Sequence, residues 1–125
     1  ILPALEVSGP VADDYGERLS GYLVPSRSGV YTFWIAADDQ GELWLSVDDT
    51  AARARLIATA PKWTAQRQWD KYPEQQSVPI RLTAGERYYI EVLHKEAGQK
   101  DTVAVAWEGP GLERQVITDS YLAPD

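Results

Sequence analysis

The feature that most constrains this chain is the alternation of side chains, with a period of two, in several short segments. In Val30–Ala37, the side chains of Tyr31, Phe33 and Ile35 share one face of an extended strand, and Trp34 lies on the other. Residues in this segment are mostly β-branched or aromatic, which are the types that strands favour. The pattern predicts a strand with both faces at least partly covered.

The same alternation recurs along the chain. The other strong segments are Glu42–Val47, Arg87–His94 and Thr102–Trp107. The weaker ones are Arg18–Val24, Arg55–Thr59, Val78–Leu82 and Gln115–Ile117. In Glu42–Val47, the side chains of Leu43, Leu45 and Val47 are predicted to point inward.

Turns rich in Gly, Pro and Asp separate these segments, and no long amphipathic helix interrupts them. Such a pattern predicts an all-β fold, a two-sheet antiparallel β-sandwich. The polar and aromatic segment Pro61–Gln76 is predicted to be a long loop between the middle strands, with one helical turn at most.

The length of 125 residues suits one domain, which we expect to span residues 1–125. There is no internal repeat and no second-domain boundary. Because the chain opens at Ile1 without a Met, we expect it to be a module of a larger multidomain protein.

Composition removes several classes of function. The net charge of −7 argues against nucleic acid or an anionic membrane as the main partner. No stretch approaches the roughly 18 apolar residues that span a bilayer, so membrane insertion is not expected. The chain has no Cys and one His, His94, which excludes cysteine or multi-histidine metal centres within it.

Catalytic motifs are absent as well. The sequence has no phosphate-binding Gly-rich loop, no G-x-S-x-G elbow and no H-E-x-x-H motif. His94 lies in an apolar strand, where we expect a packed and hydrogen-bonded residue rather than a general base. Nineteen acidic residues leave a carboxylate pair for glycoside cleavage open, but we expect no enzyme.

Three Asp-Asp dipeptides stand out, and Asp38-Asp39 differs from the others in following the strongest strand directly. Asp13-Asp14 and Asp48-Asp49 are explained as turn formers. Neighbouring side chains of an extended strand point to opposite faces, and a non-proline cis peptide, which costs about 3 kcal/mol, would turn both carboxylates to one side. A bound Ca²⁺, which takes oxygen ligands, would offset that cost.

A second loop, Lys95–Asp101, joins two of the strong strands, and Gly98 within it permits a tight turn. Its carbonyl groups and Asp101 could complete an oxygen cage begun by the Asp38-Asp39 pair. The alternative is a solvated hairpin tip of mixed charge, and the fold decides whether the two loops adjoin.

Several motifs then occur in an order that resembles the fourteen-kilodalton domain family named after the anthrax protective antigen. They are Tyr15–Leu23, Gly29–Asp39, Gly41–Ser46 and Tyr88–Glu96. The resemblance implies a two-sheet antiparallel β-sandwich that serves as one module of a secreted or cell-surface protein. It also implies, for the lectin members, a cis Asp-Asp pair and a second loop that hold Ca²⁺, to which sugar hydroxyls bind.

Carried over by position, this resemblance makes Asp38, Asp39 and Asp101 the expected metal ligands. The expected ligand-binding residues are Asp38, Asp39, Gly98, Gln99, Lys100 and Asp101. Yeast adhesins of the family have an Asn in the second loop; this chain has none, and Asp101 takes its place. The expected function is a non-catalytic, calcium-dependent carbohydrate-binding module with neighbouring domains in its parent chain. The alternative is a structural or protein-interaction spacer without sugar binding.

The aromatic residues divide into two groups. Tyr31, Phe33, Tyr89 and Trp107 are predicted to be core residues. For Trp63, Trp69 and Tyr72, in the long loop, stacking on a sugar ring and pinning the loop to the sandwich remain equally open.

Overall fold

The fold is known from a computed structural model that describes residues 6–7, 17–38, 40–95 and 103–123. Ten strands account for most of the regular structure in these ranges. They are β1 (Glu6–Val7), β2 (Glu17–Leu23), β3 (Gly29–Ala37), β4 (Gln40–Leu45), β5 (Arg55–Ala60), β6 (Ile80–Leu82), β7 (Tyr88–Lys95), β8 (Val103–Gly109), β9 (Leu112–Val116) and β10 (Leu122–Ala123).

Three single turns of 3₁₀-helix interrupt the strands, at Ala51–Arg53, Pro73–Gln75 and Asp119–Tyr121. No helix in the described ranges has the length and apolar character needed to cross a membrane.

The strands form two antiparallel sheets. In the first sheet the order is β1-β8-β3-β6, and β9 also pairs with β8; in the second it is β10-β2-β7-β4-β5. Consecutive strands often lie in different sheets, as with β3 and β4 or β7 and β8. Each such connection therefore crosses from one sheet to the other at an end of the sandwich. The predicted two-sheet antiparallel β-sandwich is confirmed.

The core lies between the sheets and is centred on Trp107 of β8. Its indole stacks on the Tyr31 ring at 4.9 Å between centroids, and Tyr121 meets it edge-on at 5.0 Å. Tyr31, Phe33 and Trp107 are completely buried, as predicted. Aromatic pairs of this kind add to the stability gained from buried area.

One prediction about side-chain direction needs correction. Val47 is half exposed rather than inward, because β4 ends at Leu45 and the chain turns there, with the Ser46 amide donating to the Tyr89 carbonyl. Tyr89 is buried, as predicted, and its ring meets that of Tyr22 at 6.2 Å on the outer face of β7. Its neighbour Tyr88 belongs to the cluster between the sheets.

The long loop between β5 and β6 lies along the free edge of β3, beyond the short pairing with β6. It is tied there by side chains as well as by main chain. The Ser77 amide donates to the Phe33 carbonyl at 2.8 Å, and the completely buried Gln75 side chain donates to the Ile35 carbonyl at 2.9 Å. A segment without strand periodicity therefore satisfies the edge of a central strand.

Candidate functional site

The candidate site is the end of the sandwich where β3 finishes, which we call the acidic rim and define by Asp38 and the strand ends beside it. Ala37, the last residue of β3, is the register partner of Val103 at the start of β8. Gln40, the first residue of β4, is the partner of Lys95 at the end of β7. Lys95 and Val103, which flank the 96–102 segment, thus lie beside the two residues that flank the Asp38-Asp39 pair.

The predicted site residues fall unequally on the described structure. The Asp38 side chain is partly buried at the acidic rim. Asp39 and the segment 98–101, with the predicted residues Gly98, Gln99, Lys100 and Asp101, lie outside the described residues, as does the Asp38-Asp39 peptide. Within the described ranges, no group of three or more His, Cys, Asp or Glu is arranged to hold a metal ion.

His94 lies in the interior of the sandwich, next to the acidic rim. It is completely buried at the inner face of β7, and its Nε2 atom lies 3.0 Å from the carbonyl oxygen of Asp38. This contact joins the second sheet to the first. The prediction of a packed, hydrogen-bonded histidine is confirmed, and sequence reasoning had no means to identify Asp38 as its partner.

Thr64 is a residue of the acidic rim that sequence reasoning missed. It is completely buried, accepts a hydrogen bond from the Ala37 amide at 2.8 Å and donates its own amide to the Ala37 carbonyl at 2.8 Å. Gln40 is linked to the same loop, because its side-chain amide donates to the Pro61 carbonyl at 3.2 Å. The long loop therefore forms one wall of the acidic rim.

Trp63, next to Thr64 in that wall, is the exposed aromatic residue of this loop, with 49% of its surface accessible. The Lys71 ammonium lies 4.7 Å from the centre of its ring and donates to the Trp63 carbonyl at 3.1 Å. Trp69 and Tyr72 are half-buried. Exposure thus separates Trp63 from Trp69 and Tyr72.

The Asp48-Asp49 pair lies at the opposite end of β4, and it behaves as the turn former that the sequence predicts. The Asp48 carboxylate accepts hydrogen bonds from the Thr50 hydroxyl and amide and from the Ser46 hydroxyl. These bonds, the Thr50 hydroxyl first, lower the pKa of Asp48. Asp13-Asp14 lies outside the described residues.

The two-sheet sandwich, with an Asp-Asp pair after its third strand, matches a known domain family. The model of the PA14 domain matches residues 5–121. This chain belongs to the PA14 domain family. The family named from the sequence motifs is thereby confirmed.

A curated mouse relative, N-acetyl-beta-glucosaminyl-glycoprotein 4-beta-N-acetylgalactosaminyltransferase 1, is 39% identical over 121 residues. The match covers 91% of this chain and 12% of the transferase. This PA14 domain therefore spans a small part of that relative.

Solved structures share the fold. An anti-sigma factor domain-containing protein from Clostridium clariflavum superposes with a TM-score of 0.74 and 26% identity, over all of this chain and 41% of that one. The A domain of epithelial adhesin 6 from Candida glabrata, solved with Galb1-3GlcNAc, superposes with a TM-score of 0.66 and 16% identity, over 88% of this chain and 50% of that one.

Proposed function

We propose that this PA14 domain is a non-catalytic carbohydrate-binding module that binds sugar through Ca²⁺ at the acidic rim. One observation supports the proposal: Ala37 pairs with Val103 and Gln40 with Lys95, so the residues that flank the 96–102 segment lie beside the residues that flank the Asp38-Asp39 pair. The residues on either side of two segments that contain aspartates, more than fifty residues apart in sequence, therefore lie at one end of the sandwich.

The donor chemistry suits calcium. Asp38, Asp39 and Asp101, with carbonyl groups around Gly98, would hold the ion, because Ca²⁺ takes carboxylate and carbonyl oxygens. The nitrogen of His94 that faces the acidic rim already contacts the Asp38 carbonyl, which leaves an all-oxygen set. When bound, Ca²⁺ supplies coordination positions that vicinal sugar hydroxyls can occupy.

Selectivity among sugars would come from the protein groups around the ion. Gln99 and Lys100 offer an amide and an ammonium group for hydrogen bonds to hydroxyls. Trp63 offers an exposed ring in the wall of the acidic rim, on which the apolar face of a sugar can stack. Because these contacts are few and exposed, we expect weak affinity at a single site and a dependence on multivalency.

The relatives support a module that meets sugars outside the cell. The adhesin domain of the same fold is described in complex with Galb1-3GlcNAc, and the mouse relative is named for its action on a glycoprotein. We therefore place the parent protein at the cell surface or among secreted proteins, with this domain as one of several in its chain.

A second candidate function is a structural or protein-interaction module without sugar binding. The anti-sigma factor structure raises this alternative, since a protein that is not described as an adhesin shares the fold with a TM-score of 0.74. A glycan array read with and without a chelator separates the two candidates, because only the lectin predicts hits that a chelator abolishes.

Calcium binding is tested by calorimetric titration of the chelator-treated domain. We expect heat of binding at millimolar Ca²⁺ or below, and a weaker affinity in Asp38→Asn and in Asp101→Ala with the fold intact. Asp49→Asn is the matched control, because Asp49 belongs to the same dipeptide type at the opposite end of β4. Absence of heat in the unmutated domain would refute the metal site. An affinity unchanged from that of the unmutated domain in both Asp38→Asn and Asp101→Ala would refute the ligand assignment.

A further inference from the structure

We propose that His94 is a positioning residue, which holds the backbone that carries the Asp38-Asp39 pair in place before any ligand binds. The effect of His94 on metal binding rests on the proposed function. Its effect on how firmly the backbone of the acidic rim is held rests on geometry alone.

The contact between His94 and Asp38 is directional. A carbonyl oxygen can only accept a hydrogen bond, so Nε2 of His94 carries the proton and donates at 3.0 Å. His94 is the last inward-facing residue of β7, two positions beyond Val92 in the core. It therefore reaches from the second sheet to the end of the first.

His94 is also an expensive residue to bury. It is completely buried, and among the described residues its Nδ1 atom has no hydrogen-bond partner. An apolar side chain would fill the same space without removing two polar nitrogens from water. The hydrogen bond to the Asp38 carbonyl is the interaction that a leucine or phenylalanine could not supply.

The contact belongs to a set that fixes three main-chain groups of two consecutive residues, Ala37 and Asp38. The Thr64 hydroxyl accepts from the Ala37 amide and the Thr64 amide donates to the Ala37 carbonyl, both at 2.8 Å, while His94 donates to the Asp38 carbonyl. One partner comes from the long loop and the other from the second sheet, so the chain is held on two sides as it enters the Asp pair. Preorganisation of this kind lowers the ordering cost that a ligand must meet.

The experiment compares the unmutated domain with His94→Phe, which removes the donor, and His94→Gln, whose side-chain amide can restore it. Ile90→Val is the matched control, because Ile90 is buried on the same inner face of β7. Two quantities are measured: metal-free amide hydrogen exchange of Ala37 and Thr64 relative to core amides such as Val105, and the Kd for Ca²⁺.

We expect His94→Phe to speed exchange of the two rim amides by about tenfold beyond any change in the core amides, as expected for the loss of one hydrogen bond. We expect a similar, roughly tenfold, loss of Ca²⁺ affinity. His94→Gln should recover most of both effects, and Ile90→Val should change rim and core amides alike.

A spectroscopic readout accompanies these variants. Because the chain has one histidine, its imidazole nitrogens give a single set of signals, which should report the Nε2–H tautomer and shift when Ca²⁺ is added. The opposite tautomer would overturn the proposal, as would rim amides that follow the core amides in His94→Phe, or an unchanged Kd in that variant. If the unmutated domain binds no Ca²⁺, the proposed function fails, and the exchange comparison alone decides the role of His94.

Discussion

Thr64 and Ala37 lie 27 residues apart in sequence and exchange three hydrogen bonds. The Thr64 hydroxyl accepts from the Ala37 amide at 2.8 Å and donates to the Ala37 carbonyl at 3.1 Å, and the Thr64 amide donates to the same carbonyl at 2.8 Å. Both residues are completely buried. On the edge of β3 away from β8, the end of the strand is therefore hydrogen-bonded by a threonine in a loop rather than by a neighbouring strand.

Replacing Thr64 by alanine should lower the free energy of unfolding by about 1–3 kcal/mol, because the Ala37 amide would lose its acceptor in the interior. Thr64→Ser keeps the hydroxyl and is the control, for which we expect a smaller loss. Urea unfolding of the three proteins measures the difference. An alanine variant as stable as the serine variant would show that this hydroxyl is dispensable.

Trp63 is expected to contribute to sugar binding if the acidic rim is the binding site. Its ring is half exposed beside Thr64, and loss of a stacked ring should weaken sugar affinity roughly tenfold in Trp63→Ala. Val78→Ala is the control, because Val78 is 72% exposed and lines a groove beside β5 instead. Affinity is measured on an array hit, and equal losses in the two variants would contradict the stacking role.

Asp48 should make the stability of the domain sensitive to acid. Its pKa is lowered in the folded protein, first by the Thr50 hydroxyl and then by the Thr50 amide. The folded state therefore holds this proton less tightly than the unfolded state. The stabilisation is present above the unfolded pKa of about 3.9 and is lost as the pH falls through the lower, folded value.

The measurement is the midpoint of urea unfolding between about pH 5 and pH 2, the window in which a lowered carboxyl pKa acts. The unmutated domain should lose more stability across it than Asp48→Asn does. Thr50→Val, which removes the largest cause of the shift, should also flatten the curve. Parallel curves for all three proteins would contradict this role of Asp48.

Tyr31 should make the domain sensitive to alkali. Burial raises the pKa of its phenol, and the hydroxyl donates to the Arg27 carbonyl at 2.6 Å. The folded state therefore holds the proton more tightly than the unfolded state does. The resulting stabilisation is complete below the unfolded pKa of about 10 and is lost as the pH rises through the higher, folded value.

In Tyr31→Phe the decline in stability above about pH 10 should be shallower than in the unmutated domain. At neutral pH the variant should be less stable by about 1 kcal/mol, for the lost hydrogen bond to the Arg27 carbonyl. Phenolate absorbance and urea unfolding, followed together, check both statements. A variant with the unmutated alkaline profile would exclude Tyr31 as a source of that sensitivity.

Where alternation was strong, the strands could be predicted closely. Val30–Ala37 corresponds to β3 within one residue, and Arg87–His94 to β7 within one residue at each end. The prediction was wrong where a strand ended early, as at Val47. Tyr89 is buried as predicted, whereas Tyr88, which the sequence analysis did not single out, packs in the cluster between the sheets. Alternation alone does not show which of two adjacent tyrosines faces the other sheet until the register of the whole strand is known.

The candidate site divides in the same way. The sequence alone determined that Asp38-Asp39 follows a strong strand and that the segment ending at Asp101 joins two others, because turn chemistry and alternation are local properties. Only the tertiary structure decided that the residues flanking these segments lie at one end of the sandwich, and that Thr64 and His94 hydrogen-bond to the backbone of Ala37 and Asp38. Contacts between distant residues depend on how the two sheets pack, and no local pattern in the sequence encodes that packing.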